Sequence, residues 1–184
     1  MNLPNKITIT RVLLIPVFIL VLLLQQTDTK YAPFLALFIF IVAALTDGID
    51  GFLARKQKKV TKFGKILDPV ADKLLISAAL IAFVFLREIS VWPAIIIIGR
   101  ELAITGLRVM AASEGKVIAA SNWGKWKTNL QILAIIVIII DPDIIQFPFY
   151  IPDILLWIAV FVTILSGVKY FQNSDIDFFR EEKN

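Results

Sequence analysis

The sequence predicts an all-α protein: a polytopic membrane helical bundle of six transmembrane helices with both termini cytoplasmic. Three observations carry this prediction. Hydrophobic residues make up 58% of the 184 and the mean hydropathy is +0.80, more apolar than the roughly 45–50% of a soluble domain. Six apolar stretches have about the 17–25 residues that a helix needs to cross a bilayer. The basic residues fall almost wholly on one side of those stretches. No linker, internal repeat or low-complexity segment interrupts the chain, so residues 1–184 read as a single domain.

The stretches run from Ile7 to Leu24, Tyr31 to Ala54, Gly64 to Leu86, Val91 to Ala112, Trp123 to Ile140 and Pro152 to Phe171. Pro16 lies inside the first, where a kink is expected. Pro33, Pro69, Pro93 and Pro152 lie near starts and suit first helical turns, where a missing N–H costs little. Lys6 precedes the first stretch and Arg11 lies near its start, ahead of its longest apolar run, as in a signal peptide. The stretch ends in Gln25-Gln26-Thr27-Asp28-Thr29 without a small-x-small cleavage site, so it is expected to be retained.

Placing the N-terminus in the cytoplasm puts the 55–65 loop, the 113–122 loop and the C-terminus on the same side. Of the 19 lysines and arginines, only Lys30 and Arg87 then fall on the other side. Arg100 and Arg108 are intramembrane, and leaving them out does not change the asymmetry. Both termini are therefore expected in the cytoplasm. The opposite loop, from Asp141 to Asp153, is acidic and aromatic.

Within this apolar chain lies a spaced polar set: Asp47, Asp50, Gly51, Ala54, Arg55, Gly64, Asp68 and Asp72. Spacings of three and four place the carboxylates of each pair on one helix face. The topology brings both pairs to the cytoplasmic ends of adjacent spans. Clustered carboxylates repel and take up protons unless a cation separates them, so one or two bound divalent cations are the economical reading. With no histidine and no cysteine, zinc, haem and thiolate chemistry are disfavoured. An all-oxygen site suits Mg²⁺ or Mn²⁺, which bind through carboxylates and substrate phosphates. A general base at neutral pH is then most simply an aspartate. Gly51, Ala54 and Gly64 let a ligand approach the backbone. The planar fork of Arg55 suits a phosphate, and Lys56, Lys58, Lys59 and Lys62 suit anions or anionic headgroups.

A second polar group lies in the fourth span: Arg100, Glu101, Thr105 and Arg108. Offsets of four and seven put Glu101, Thr105 and Arg108 on one face, with Arg100 beside it. Lys125, Lys127, Thr128 and Gln131 open the fifth span. Arginines this deep need a partner or a wet cavity. Two of them against one glutamate leave positive charge that a phosphate monoester would satisfy.

Each element also has a structural reading. Asp68 before Pro69 fits a helix N-cap. Asp47 and Asp50 fit a solvated helix end, and Gly51 and Ala54 fit helix packing. The loop lysines fit topology determinants, and Arg100 with Glu101 fits an intramembrane pair. None of these explains why the elements converge.

The run Asp47-Gly48-Ile49-Asp50-Gly51-Phe52-Leu53-Ala54-Arg55, then eight residues, then Gly64-Lys65-Ile66-Leu67-Asp68-Pro69-Val70-Ala71-Asp72 resembles the CDP-alcohol phosphotransferase signature at all eight fixed positions. The resemblance implies six transmembrane helices, a cytoplasm-facing site, a dinuclear Mg²⁺ or Mn²⁺ centre and a homodimer. Within the family the chain is most similar to bacterial members that use sn-glycerol 3-phosphate. The similarity rests on Asn2–Arg11, on Gly99-Arg100-Glu101 with Gly106-Leu107-Arg108, and on Gly124-Lys125-Trp126-Lys127-Thr128. The last third of the chain carries no usable motif.

By this resemblance CDP-diacylglycerol and sn-glycerol 3-phosphate are expected to give phosphatidylglycerol phosphate and CMP at the bacterial plasma membrane. The resemblance assigns two metals to Asp47, Asp50, Asp68 and Asp72, and the general-base role to Asp72. It places Asp50, Gly51, Ala54, Arg55 and Gly64 around the cytidine diphosphate, with Asn5 and Thr8, and assigns the acceptor phosphate to Arg100, Arg108 and Lys125. Membrane lipids and a second copy of the chain are expected partners; nucleic acid is not. Inositol phosphate, serine and phosphatidylglycerol stay open as acceptors, although the arginines favour a phosphorylated one. A divalent-cation transporter is the rival of another class, but its site would lie nearer the midplane, commonly with internal repeats.

Overall fold

The computed structural model describes residues 3–24, 31–57, 62–113, 122–140 and 151–172. The described residues form an all-helical fold of six helices: α1 (Leu3–Leu23), α2 (Ala32–Gln57), α3 (Lys62–Phe85), α4 (Val91–Ser113), α5 (Asn122–Ile140) and α6 (Ile151–Gln172). Each coincides with one expected apolar stretch, and the largest shifts are at ends where polar residues extend a helix. α1 begins at Leu3, before the expected Ile7, and continues through Pro16. α2 continues past Ala54 to Gln57, so the whole Asp47–Arg55 run is helical.

One expectation is corrected at α3. The helix starts at Lys62, so Pro69 sits about two turns inside it rather than in the first turn. Asp68 is for the same reason a helical residue and not an N-cap. Pro33, Pro93 and Pro152 do fall in first turns, those of α2, α4 and α6. α3 ends in a left-handed residue: Arg87 has φ 63°, and Glu88 N–H donates to Phe83 C=O at 3.0 Å. This closes the helix in the manner usually served by glycine.

α1 packs on α2 and α3, α5 packs on α6, and α4 packs on α6, with α2–α5, α3–α4 and α3–α5 contacts closing the bundle. Phe18, Leu22, Phe40, Leu80, Phe83, Ile135 and Ile139 fill the centre, and the Phe18 and Phe40 rings meet at 5.5 Å. Ala36, Ala43, Ala79, Ala134 and Ala159 are fully buried, which lets the helix backbones approach closely. α4 and α6 run in the same direction, because Arg100 meets Ser166 and Arg108, further along α4, meets Tyr170.

The outer surface is far more apolar than that of a water-soluble bundle, and several polar side chains are buried. Thr8, Arg11, Lys127, Gln131, Thr163 and Ser166 are buried, while Leu13, Val17, Leu20 and Leu24 form an outward stripe on α1. α6 likewise turns Trp157, Phe161, Ile164 and Val168 outward. So much exposed apolar surface marks an interaction face. Among the described residues two helices, α1 from Lys6 to Leu23 and α6, are long and apolar enough to cross a membrane.

Candidate active site

The sequence-predicted carboxylates fall at the end of α2 and the start of α3. Asp47, Asp50, Gly51, Ala54 and Arg55 are helical residues of α2, and Gly64, Asp68 and Asp72 are helical residues of α3. Only residues 58–61 separate Gln57 from Lys62, so those two residues lie within about 18 Å of each other by chain length alone. The side chains of these positions, and of Asn5, lie outside the described residues. Their surroundings are described from the neighbours.

The first neighbour is the start of α1. Thr8 and Arg11 are buried, at 0% and 1% exposure. Arg11 Nε donates to Thr46 Oγ1 at 3.3 Å, and Thr46 Oγ1 donates to the Ala43 carbonyl at 2.7 Å. Thr46 directly precedes Asp47, so this bond fastens the start of α1 beside the first carboxylate pair. A buried arginine is costly unless hydrogen-bonded. The sequence places Arg11 among the topology-setting basic residues and in the Asn2–Arg11 run; its place within an apolar stretch is the signal for this further, structural role. A small pocket opens here, lined by Arg11, Ala43, Ala44, Leu75, Ile76 and Thr128.

A second pocket adjoins it, sharing Ile76 and Thr128, and lies among α3, α4 and α5. Its polar lining is Lys73, Ser77, Glu101, Lys127, Thr128 and Gln131. Lys73 Nζ donates to Thr105 Oγ1. Lys127 Nζ and Arg100 Nη1 both donate to Glu101 Oε1, the latter at 3.1 Å. Three cationic side chains and one carboxylate are thus gathered around Lys73, the residue that follows Asp72 in α3.

α6 holds the other side of this cluster. Arg100 Nη2 donates to Ser166 Oγ at 2.9 Å, and the Arg100 stem lies over Gly167, where a Cβ would meet Arg100 Cγ at 3.3 Å. Arg108 Nε donates to Tyr170 Oη at 2.7 Å, with the guanidinium 5.2 Å from the ring centroid. Gln131 Nε2 donates to Thr163 Oγ1 at 2.9 Å, and Thr163 Oγ1 to the Ala159 carbonyl at 2.6 Å. Arg100 Nε is a buried donor with no partner among the described residues.

The expected single polar face of α4 is therefore split. Glu101 and Thr105 turn toward Lys127 and Lys73, whereas Arg100 and Arg108 turn to α6. A helix advances 100° per residue, so Arg108 leaves the helix about 20° from Glu101 and about 80° from Arg100, and its long side chain reaches round to Tyr170. On α5 it is Lys127, 6% exposed, that reaches Glu101, while Lys125 is exposed. Two positions apart on a helix point to nearly opposite sides. No recognised motif marks α6 in the sequence. Its signal was a stripe of polar and small residues, Thr163, Ser166, Gly167 and Tyr170, at helical spacing in an otherwise apolar helix.

The sequence that builds these helices is also that of a known group of enzymes. The family model for CDP-alcohol phosphatidyltransferase matches residues 1–165, and the chain belongs to that family of transferases. It is 44% identical over 185 residues to the CDP-diacylglycerol–glycerol-3-phosphate 3-phosphatidyltransferase of Bacillus subtilis, covering 94% of this chain and 95% of the relative. Proteins of the same name in Haemophilus influenzae and Rickettsia bellii are 42% and 37% identical. Those matches each cover 93% of this chain, and 92% and 94% of the respective relative. The apolar helices together with this family point to a membrane enzyme.

Proposed function

We propose that this chain transfers the phosphatidyl group of CDP-diacylglycerol to sn-glycerol 3-phosphate, giving phosphatidylglycerol phosphate and CMP. The observation that carries this reading is the pocket of Lys73, Glu101 and Lys127, with Arg100 at its edge, where Lys73 follows Asp72 in α3. A phosphorylated alcohol held by those cations would present a hydroxyl toward the aspartates. The names of relatives 37–44% identical over nearly the whole chain support this choice of donor and acceptor.

In this proposal Asp47, Asp50, Asp68 and Asp72 hold two divalent cations, Mg²⁺ or Mn²⁺. Two aspartates from each helix form an all-oxygen donor set, which fits these hard ions. When bound, such ions neutralise the diphosphate and stabilise attacking and leaving oxygens. Asp72 accepts the proton of the acceptor hydroxyl. The alkoxide oxygen forms a bond to the lipid-linked phosphorus, and the bond from that phosphorus to the CMP oxygen breaks, with the electron pair leaving on CMP. Asp50, Gly51, Ala54, Arg55 and Gly64 surround the cytidine diphosphate, with Asn5 and Thr8 from α1. Lys73 and Lys127, with Arg100 at the pocket's edge, hold the acceptor phosphate, while Arg108 on α6's side and the exposed Lys125 attract it as more distant positive charges. Most of the rate enhancement is positioning and charge stabilisation.

The same proposal makes the chain one domain in the bacterial plasma membrane, with six spans, both termini and the active site on the cytoplasmic side, and a homodimeric assembly. The parallel course of α4 and α6 supports it, since alternate crossings must run in the same direction. The test is CMP release by the purified chain with CDP-diacylglycerol, Mg²⁺ and a panel of acceptors. Release with sn-glycerol 3-phosphate and not with inositol phosphate or serine is expected; the reverse preference would overturn the assignment. Asp72→Asn should lower turnover by at least about 100-fold, the usual scale for a positioned base, with the helical content unchanged.

A further inference from the structure

The pocket among α3, α4 and α5 contains acceptors as well as cations. Both bonds to Glu101 fall on Oε1, from Arg100 Nη1 and Lys127 Nζ. No hydrogen bond from the described residues reaches Oε2 of the same carboxylate, and Glu101 lines the pocket. Gln131, 2% exposed, stands in the same wall. Its Nε2 is committed to Thr163 Oγ1, which leaves its carbonyl oxygen as the group open to hydrogen bonding. A phosphate has no use for these oxygens, because it carries no proton that it would readily donate at neutral pH and is repelled by a carboxylate. They match a neutral hydroxyl donor held next to a phosphate.

We propose that Glu101 is a specificity-determining residue that reads the non-reacting hydroxyl of the acceptor. Its Oε1 orients Arg100 and Lys127 while its Oε2 accepts from the C2 hydroxyl of the glycerol unit, with Gln131 flanking. The inference rests on the proposed reaction and deepens it: the pocket selects a phosphorylated polyol over a phosphorylated alcohol with a single hydroxyl. A site built to pair a substrate hydroxyl rejects the analogue lacking it, because a desolvated charged acceptor is then left unpaired.

The test compares sn-glycerol 3-phosphate with 1,3-propanediol monophosphate, which keeps a reacting hydroxyl and the phosphate and lacks the C2 hydroxyl. The readout is the ratio of their kcat/KM values for CMP release in detergent-solubilised chain. The native chain is expected to prefer the glycerol compound by roughly 10–100-fold, the scale of one hydrogen bond to a charged group. In Glu101→Ala the ratio should fall to near unity, and in Glu101→Gln, which keeps the shape and an acceptor for Arg100 and Lys127, to an intermediate value. The ratio is internal to each preparation, so partial loss of folded protein cancels. An unchanged ratio in both variants, with the two acceptors slowed equally, overturns the inference and leaves the proposed reaction standing. CMP release by the native chain with neither acceptor overturns both.

Discussion

Gly167→Ala isolates the contact between α6 and the Arg100 stem. A Cβ at this position would lie 3.3 Å from Arg100 Cγ, 3.5 Å from Nε and 4.0 Å from Cδ. The first contact is a few tenths of an ångström too close, and what must yield is a flexible side chain rather than backbone. Helix propensity favours alanine over glycine by about 0.5–1 kcal/mol, which offsets a mild overpacking cost of similar size. Thermal stability should therefore change little. The guanidinium, however, is displaced from Ser166 Oγ at 2.9 Å and Glu101 Oε1 at 3.1 Å. Weakening such bonds by about 1 kcal/mol predicts a roughly fivefold rise in the KM for the phosphorylated acceptor, with kcat and the KM for CDP-diacylglycerol unchanged. Gly167→Val, bulkier by two methyl groups, should raise the acceptor KM by more than tenfold. Initial rates of CMP release at varied acceptor concentration measure both constants. An acceptor KM unmoved in both variants, or an equal rise in both substrate constants, would refute the link from α6 through Arg100 to the acceptor.

Other consequences are open to simpler measurements. Tyr170→Phe keeps the ring beneath Arg108 and removes the bond to its hydroxyl, so the acceptor KM should rise about two- to fivefold; Tyr170→Leu removes both and should raise it further. Arg87→Gly relieves a left-handed residue at the end of α3 and should stabilise the chain by about 0.5–1 kcal/mol, after allowing for glycine's larger unfolded-state entropy. That is a rise of a few degrees in a thermal melt, and no rise would mean that Arg87 has compensating contacts. Stripping divalent ions with a chelator should stop CMP release, and either Mg²⁺ or Mn²⁺ should restore it; full activity after stripping would remove the metals from the mechanism.

The helices were legible because long apolar runs are a local signal: leucine, isoleucine, valine and phenylalanine marked all six, and the largest shifts at their ends came where polar residues continued the helix. Pro69 misled because proline is commonest in first turns, and here the Lys62–Asp68 segment is helical ahead of it. The spacing of Asp47, Asp50, Asp68 and Asp72 is a local pattern, visible from the sequence alone, and α2 and α3 carry one pair each. The partners of Arg100 and Arg108 were not, because Ser166, Gly167 and Tyr170 approach from a helix more than fifty residues later. Nothing in the local pattern of α4 distinguishes a face turned to α6 from one turned to α5. Likewise Lys125 and Lys127 read alike in sequence, and only packing turns Lys127 inward to Glu101.

The most direct test of the central claim is the lipid product itself. Purified chain in liposomes containing CDP-diacylglycerol, given Mg²⁺ and sn-glycerol 3-phosphate, should yield phosphatidylglycerol phosphate by mass spectrometry in equimolar amount with CMP, and Asp72→Asn should yield neither. CMP formed without that lipid, or a product formed equally well by Asp72→Asn, would contradict the account.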